Sequence, residues 1–377
     1  MALIRHQGKP SVNKVTTNDD NFEDITENLA TLQFESALTA EEKELLNLRP
    51  RSHALTAFAC AQATYFVAVL SEARLIKSQL EKPKITRTNE LLQESDTANT
   101  LVAGIIGCGR LGSHLAHCIL SVGEVSPENI RISTRRPETL TELQEKGVIC
   151  TDKNSVVAKS CDILFLCILP SQLPVLLLDI KGVIRRETLV YSFIPTYPLA
   201  KLSSLLGVLN VVHPKYHWTD DKYWDNSIDI TATFKDNVLL EQMCPLSFNS
   251  KDCLIYTNET FAEQLIYAFV NMCSLMGVKC QDAIDIVNAI ILDHSAKSPL
   301  TTKLELLDFT NQFSDKESVL PLFNLSSLED RETPLTAKLR NNKYIRSRFV
   351  NKFCKVFQNY FEWKKISQFG GKILSHH

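Results

Sequence analysis

The sequence predicts a doubly wound α/β domain built on a parallel sheet, with a helical extension before it and a mainly helical domain after it. Three observations carry that expectation. A glycine-rich turn, Gly107-Cys-Gly109-Arg-Leu-Gly112, stands between a strand-like run at 101–106 and a helical segment at 111–122. Charge-free apolar runs then recur at 163–168, 189–194 and 208–212, each closed by a proline: Pro170, Pro195 and Pro214. Helical stretches separate these runs, the pattern of strands buried on both faces.

Taken in order, residues 1–21 are polar and aperiodic and read as a disordered N-terminus. The helical extension covers 22–82. Thr39-Ala-Glu-Glu42 has the form of a capping box for a short helix running to Leu48. Pro50 is expected to stop that helix, and Ser52 to cap a longer one that reaches Leu80 and ends before Pro83. Residues 54–70 carry no charge, but they are short for a membrane span and contain Thr56, Gln62, Thr64 and Tyr65. They read as a buried or amphipathic helix. A polar linker follows at 83–100.

The sheet domain covers 101–215. Further strands are expected at 130–133 and 148–150, with a helix at 139–146 ended by Gly147. Residues 216–257 connect to a helical domain at 258–330. There one helix runs from an Asn258 cap to Met276, with Gly277 at C′, and another from Gln281 to His294. Residues 331–377 form a basic helical tail. Its Phe349, Phe353, Phe357 and Phe361 recur every four residues, which lays an aromatic stripe along one helix face.

The formal net charge of -2 excludes a molecule that binds nucleic acid through its overall charge. The 11 cysteines include no CxxC pair, so neither a zinc ribbon nor a thioredoxin-type site is expected. Cys60, Cys118, Cys161 and Cys167 lie among apolar neighbours and read as small hydrophobes in a reducing compartment. No secretory h-region opens the chain. A cytoplasmic protein without a membrane anchor is expected. The pairs His213/His217 and His114/His117 lack a third ligand at metal spacing, so no metal is expected.

In a strand–turn–helix context each glycine has a task. Gly107 makes the turn, Gly109 admits the backbone to a pyrophosphate, and Gly112 lets helix and strand pack. The pyrophosphate then lies at the helix N-terminus, where free amides favour negative charge. At the end of the second strand an NAD site carries an acid that accepts from the ribose 2′-hydroxyl. This chain offers Ser133, Thr134, Arg135 and Arg136 and no acid, which predicts NADP(H).

From Val102 to Pro214 these residues resemble the pyrroline-5-carboxylate reductase family. The resemblance is carried by 105–111, by Ser133-Thr-Arg-Arg-Pro-Glu138, and by the Asp162-led apolar strand that ends at Pro170. It implies a Rossmann fold whose phosphate loop is Gly107, Cys108, Gly109, Arg110, Leu111 and Gly112. It also implies a 2′-phosphate loop at Ser133–Arg136 and a nicotinamide-side loop at Cys167, Ile168, Leu169 and Pro170. The lysine of that last loop is absent here. The family's Ala-Ala-Gly turn is Ile194-Pro195-Thr196, its Pro-Asn is Pro214-Lys215, and its Ser-Gly-Ser-Gly-Pro-Ala helix survives only as an echo at Ser295–Pro299. The resemblance further implies a homodimer through the C-terminal helices, although that dimer helix is altered.

A nicotinamide enzyme needs a proton donor beside the carbon that receives hydride. The candidates follow the sixth strand, at the carboxyl edge of the sheet: His213, Lys215, Tyr216 and His217. His213 suits proton transfer near neutrality, and Lys215 suits a substrate carboxylate. Two functions stay open on sequence alone: an NADP(H)-dependent reductase of a small C=N or C=O substrate, and a catalytically silent NADP-binding sensor or interaction protein.

Overall fold

The computed structural model describes residues 38–81, 100–219, 224–225, 227–247, 253–257, 259–294, 303–310, 318–329 and 331–373. The expected disordered N-terminus, nearly all of the linker at 83–100, the Asn258 cap and the echo at Ser295–Pro299 lie outside these residues.

Helix α1 (Ala40–Glu44) opens on the expected capping box, in which Thr39 and Glu42 each bond the other's backbone amide. The break expected at Pro50 does not occur. Helix α2 runs without interruption over Leu48–Glu81. Pro50 falls in its first turn, where a missing N–H breaks no helical bond. Ser52 is therefore inside the helix rather than its cap, and its carbonyl accepts from Thr56 Oγ1 at 2.8 Å. By length and apolarity α2 is able to cross a membrane, yet 94% of its apolar window is enclosed by the protein. Gln62 lies buried within it and is satisfied by the Met243 carbonyl (2.9 Å) and by Tyr216 Oη, which donates at 3.1 Å.

Six parallel strands follow: β1 (Ala103–Ile106), β2 (Ile130–Ser133), β3 (Ile149–Thr151), β4 (Ile163–Leu166), β5 (Leu189–Ser192) and β6 (Val211–Val212). Their spatial order is β3-β2-β1-β4-β5-β6, the dinucleotide-binding topology with its switch point between β1 and β4. Several strands are shorter than the apolar runs that predicted them. Ile194 and Val208 stay buried beyond the ladder, so hydrophobicity marks enclosure there and not strand pairing.

Alternate strand residues feed two cores. Helix α4 (Thr141–Glu145) joins β2 to β3, and Ile106, Leu164, Leu166, Val190 and Val211 share a core with α5 (Asn154–Ser160), α6 (Leu173–Ile180) and α7 (Leu199–Leu206). Ile105, Ile132, Phe165, Tyr191 and Val212 join a larger core that contains α2 and α3 (Arg110–Val122). Residues of α2 thus share one of the sheet's two cores. Asp162, at the start of β4, fastens that helix by pairing with Arg74 of α2 at 2.9 Å and with Arg185 at 2.8 Å.

A two-stranded antiparallel ribbon, β7 (Tyr216–Trp218) with β8 (Ile255–Thr257), leads into the helical part, with the short helices α8 (Ile230–Thr233) and α9 (Asn237–Met243) between its strands. Helix α10 (Glu259–Leu275) is buried along most of its length, and α11 (Cys280–Ile290) ends before the expected His294. Helices α12 (Pro334–Asn341) and α13 (Lys343–Ile373) close the chain. The aromatic stripe of α13 turns inward: Phe349, Phe353 and Phe357 are fully enclosed, and Phe353 lies 4.9 Å from the Tyr65 ring of α2. Three of its basic residues form ion pairs within the chain. Arg346 pairs with Glu259 at 2.7 Å, Lys352 with Glu72 at 2.7 Å, and Lys355 with Asp293 at 2.9 Å.

Candidate functional site

The glycine turn joins β1 to α3 at the carboxyl edge of the sheet. Gly107 has φ +93°, which side chains rarely adopt, and a Cβ there would meet the Cys167 carbonyl at 2.6 Å. Its amide donates to the Ser133 carbonyl at 2.9 Å, which ties the turn to the end of β2. A Cβ on Gly112 would stand 2.1 Å from the Gly107 carbonyl, so helix and turn touch there. Gly109 is the contrast: a Cβ on it would meet nothing within 4 Å. No acceptor from elsewhere in the described residues reaches the backbone amides of Arg110, Leu111 or Gly112. The turn therefore presents open backbone donors beside an exposed Arg110.

The end of β2 divides its four polar residues. Ser133 is buried, and its hydroxyl donates to Asn154 Oδ1 at 2.6 Å, while Asn154 in turn donates to Asp179 at 2.9 Å. Ser133 thereby braces the loop from inside. Thr134 is half-buried, with its amide on the Thr151 carbonyl at 3.0 Å. Arg135 and Arg136 are exposed. Their guanidiniums, like that of Arg110, make no hydrogen bond or ion pair among the described residues. Sequence reading missed Asn154 and Asp179, which stand 21 and 25 residues from their respective partners and carry no motif.

Between β4 and α6, Cys167 and Ile168 are half-buried and Leu169 is exposed. Pro170 opens the 3-10 turn Pro170–Gln172. The Cys167 amide bonds the Ile106 carbonyl at 2.9 Å, so this loop abuts the glycine turn. Burial pushes the Cys108 thiol up to about 11 and the Cys167 thiol higher still, so neither acts as a thiolate nucleophile at neutral pH.

Four donors were expected after β6, and the structure keeps two of them together. Tyr216 Oη is spent on Gln62 at 3.1 Å, and His217 stacks on Tyr256 in the β7–β8 ribbon, 5.2 Å between ring centroids. His213 and Lys215 instead share a cavity of about 30 Å³ with Thr260, Gln264 and Glu329. His213 is only 3% exposed. Its backbone amide donates to Gln264 Oε1 at 3.4 Å, and Lys215 Nζ lies 3.1 Å from Glu329 Oε1. Burial lowers the His213 pKa; Lys215 adds to this, while Glu329 and a hydrogen bond to the Ser192 carbonyl oppose it. No cluster of metal-ligating side chains occurs among the described residues.

Comparison with known proteins gives a consistent result. Residues 102–192 match the family described as NADP oxidoreductase coenzyme F420-dependent. A mouse protein, NADP-dependent oxidoreductase domain-containing protein 1, is 30% identical over 345 residues, 89% of this chain and 93% of the mouse one. A pyrroline-5-carboxylate reductase of Methanosarcina acetivorans is 36% identical over 104 residues, but that match covers 27% of this chain and 38% of the archaeal one. A solved pyrroline-5-carboxylate reductase from Coxiella burnetii aligns over 70% of this chain and 98% of its own, at 15% identity and a TM-score of 0.29.

Proposed function

The chain belongs to the family of NADP-dependent oxidoreductase domain-containing protein 1, and from that premise we propose that it binds NADP(H) and reduces a small substrate bearing a C=N or C=O bond in the cytoplasm. One observation carries the cofactor choice. Arg135 and Arg136, at the carboxyl end of β2, are exposed and make no ion pair among the described residues, where an NAD site has a carboxylate. Two unpaired guanidiniums attract a 2′-phosphate, which a carboxylate there would repel.

Around that edge the roles divide. Gly107, Cys108, Gly109, Arg110, Leu111 and Gly112 hold the pyrophosphate, with Gly109 leaving the open face. Ser133 and Thr134 shape the 2′-phosphate loop. Cys167, Leu169 and Pro170 border the nicotinamide. The bound cofactor supplies hydride. His213 supplies the matching proton, and Lys215 orients an anionic group on the substrate. The cytoplasmic setting is supported by the 11 free cysteines, seven of them buried. A second reading, NADP binding without turnover, has its own support: His213 is 3% exposed and Lys215 is held by Glu329.

The test is a fluorescence titration with NADPH and NADH, followed by a screen of imines, ketones and aldehydes for NADPH oxidation. Replacing both Arg135 and Arg136 with Ala is expected to weaken NADPH about 100-fold, at about 1.4 kcal/mol per exposed contact, and to leave NADH within about threefold. Equal affinity for the two dinucleotides in the unaltered protein refutes the cofactor assignment. Tight NADPH binding without turnover across the screen selects the silent reading.

A further inference from the structure

We infer that Glu329 is a positioning residue for His213, acting through an ordered water in the cavity between them; the inference rests on the reading of His213 as the proton donor. The cavity measures about 30 Å³, room for a water, and its five lining side chains are all polar. A buried water needs two to four polar partners, and an enclosed polar void of this size is where one is held. The walls carry the matching deficits. His213 Nδ1 and Glu329 Oε1 are both buried atoms without a hydrogen-bond partner, and Glu329 Oε1 has only the Lys215 ammonium, 3.1 Å away.

The chemistry of the ring follows from its other nitrogen. A neutral ring whose bare, buried Nδ1 accepts from the cavity water carries its proton on Nε2. Nδ1 is then the atom that gains and loses the proton. In the imidazolium, Nδ1–H donates to the water, and the water donates to the Glu329 carboxylate. When the substrate's nitrogen or oxygen takes a proton from that water as hydride reaches its carbon, the water takes the Nδ1 proton in its place, and Nδ1 then accepts from the same water. It is recharged from solvent past Lys215, whose side chain is 47% exposed, while Glu329 is 12% exposed. One proton enters from solvent for each one delivered. The charged groups facing the imidazole are Lys215, from its own segment, and Glu329, which follows the 3-10 turn Leu325–Leu328; α10 contributes the uncharged Thr260 and Gln264, and β5 the Ser192 carbonyl.

Glu329 lies 116 residues from His213 in the chain, and no motif announces it. The experiment is ¹⁵N NMR of the histidine-labelled full chain over pH 5–9, with the His213 signal assigned by its loss in His213→Asn. The expected neutral tautomer carries its proton on Nε2. Glu329→Gln is expected to lower the His213 titration midpoint by about one pH unit, and Lys215→Met to raise it by a similar amount. The acidic limb of the NADPH-oxidation profile moves in the same directions. Rescue by Glu329→Asp restores part of the shift. Proton occupancy on Nδ1 in the neutral ring overturns the inference, as does a midpoint that stays put in both variants while their melting temperatures match the unaltered protein. If one variant fails to fold, the other decides. Correct NMR shifts without turnover leave the relay standing and remove the reductase reading, so the two fail separately.

Discussion

Gly109 and Gly112 sit three residues apart, yet the structure assigns them opposite sensitivities to the same added methyl group. At Gly112 a Cβ stands 2.1 Å from the Gly107 carbonyl oxygen, about 1 Å inside contact distance, with Ile105 Cγ2 at 3.4 Å behind it. The obstructing atom belongs to a turn held at φ +93° and pinned to Ser133, so it has little room to yield. Overpacking of this kind costs about 1–3 kcal/mol. Alanine's helical preference over glycine returns about 1 kcal/mol of it. A 2.1 Å approach to a backbone atom belongs at the upper end of that range, so Gly112→Ala is expected to lose about 2 kcal/mol and to melt a few degrees lower. At Gly109 the same methyl meets no protein atom within 4 Å, and φ is -79°, open to any residue. Gly109→Ala is expected to melt within about 1 °C of the unaltered protein and to bind NADPH at least about tenfold more weakly, because the methyl fills the side from which a pyrophosphate reaches the backbone. Thermal unfolding followed by circular dichroism and titration calorimetry with NADPH read the two outcomes. Undiminished NADPH affinity in Gly109→Ala refutes the open face as the phosphate site. An unchanged melting temperature in Gly112→Ala refutes the packing argument.

Two further outcomes follow from the core. His53, His114 and His213 all have pKa values lowered chiefly by burial, so the folded chain binds fewer protons than the unfolded chain below about pH 6.5. Stability is then expected to fall as the pH drops from 7.5 to 5.5, read as a declining melting temperature; a flat or rising curve contradicts the burial of these imidazoles. Phe353→Ala removes a fully enclosed ring from between Tyr65 (4.9 Å) and Phe357 (5.5 Å) and is expected to cost about 3–5 kcal/mol in urea unfolding. A loss below about 1 kcal/mol means that α13 is not part of the core.

Short-range chemistry was legible in advance. The strand–turn–helix around Gly107, the change of charge at Arg135 and Arg136, and the capping box at Thr39 each depend on residues within a few positions of one another. Apolar runs located β1, β4, β5 and β6, though Ile194 and Val208 lengthened them, because enclosure and strand pairing leave the same hydrophobic mark. Pro50 misled because a proline breaks a helix only beyond its first turn, and α2 begins at Leu48, which leaves Pro50 inside that turn.

The sequence by itself determined the sheet, its phosphate turn and the sign of its cofactor edge, since these arise from local backbone geometry and from charges adjacent along the chain. Tertiary structure alone decided that α2 is a wall of the sheet's core, that the basic tail's phenylalanines face Tyr65 and Phe234, and that Ser133 points at Asn154. It alone brought Glu329 and Gln264 to the imidazole of His213. Those arrangements join residues 21 to 288 positions apart. They are chosen by which buried groups satisfy one another once the chain has closed, and no window of the sequence contains both partners.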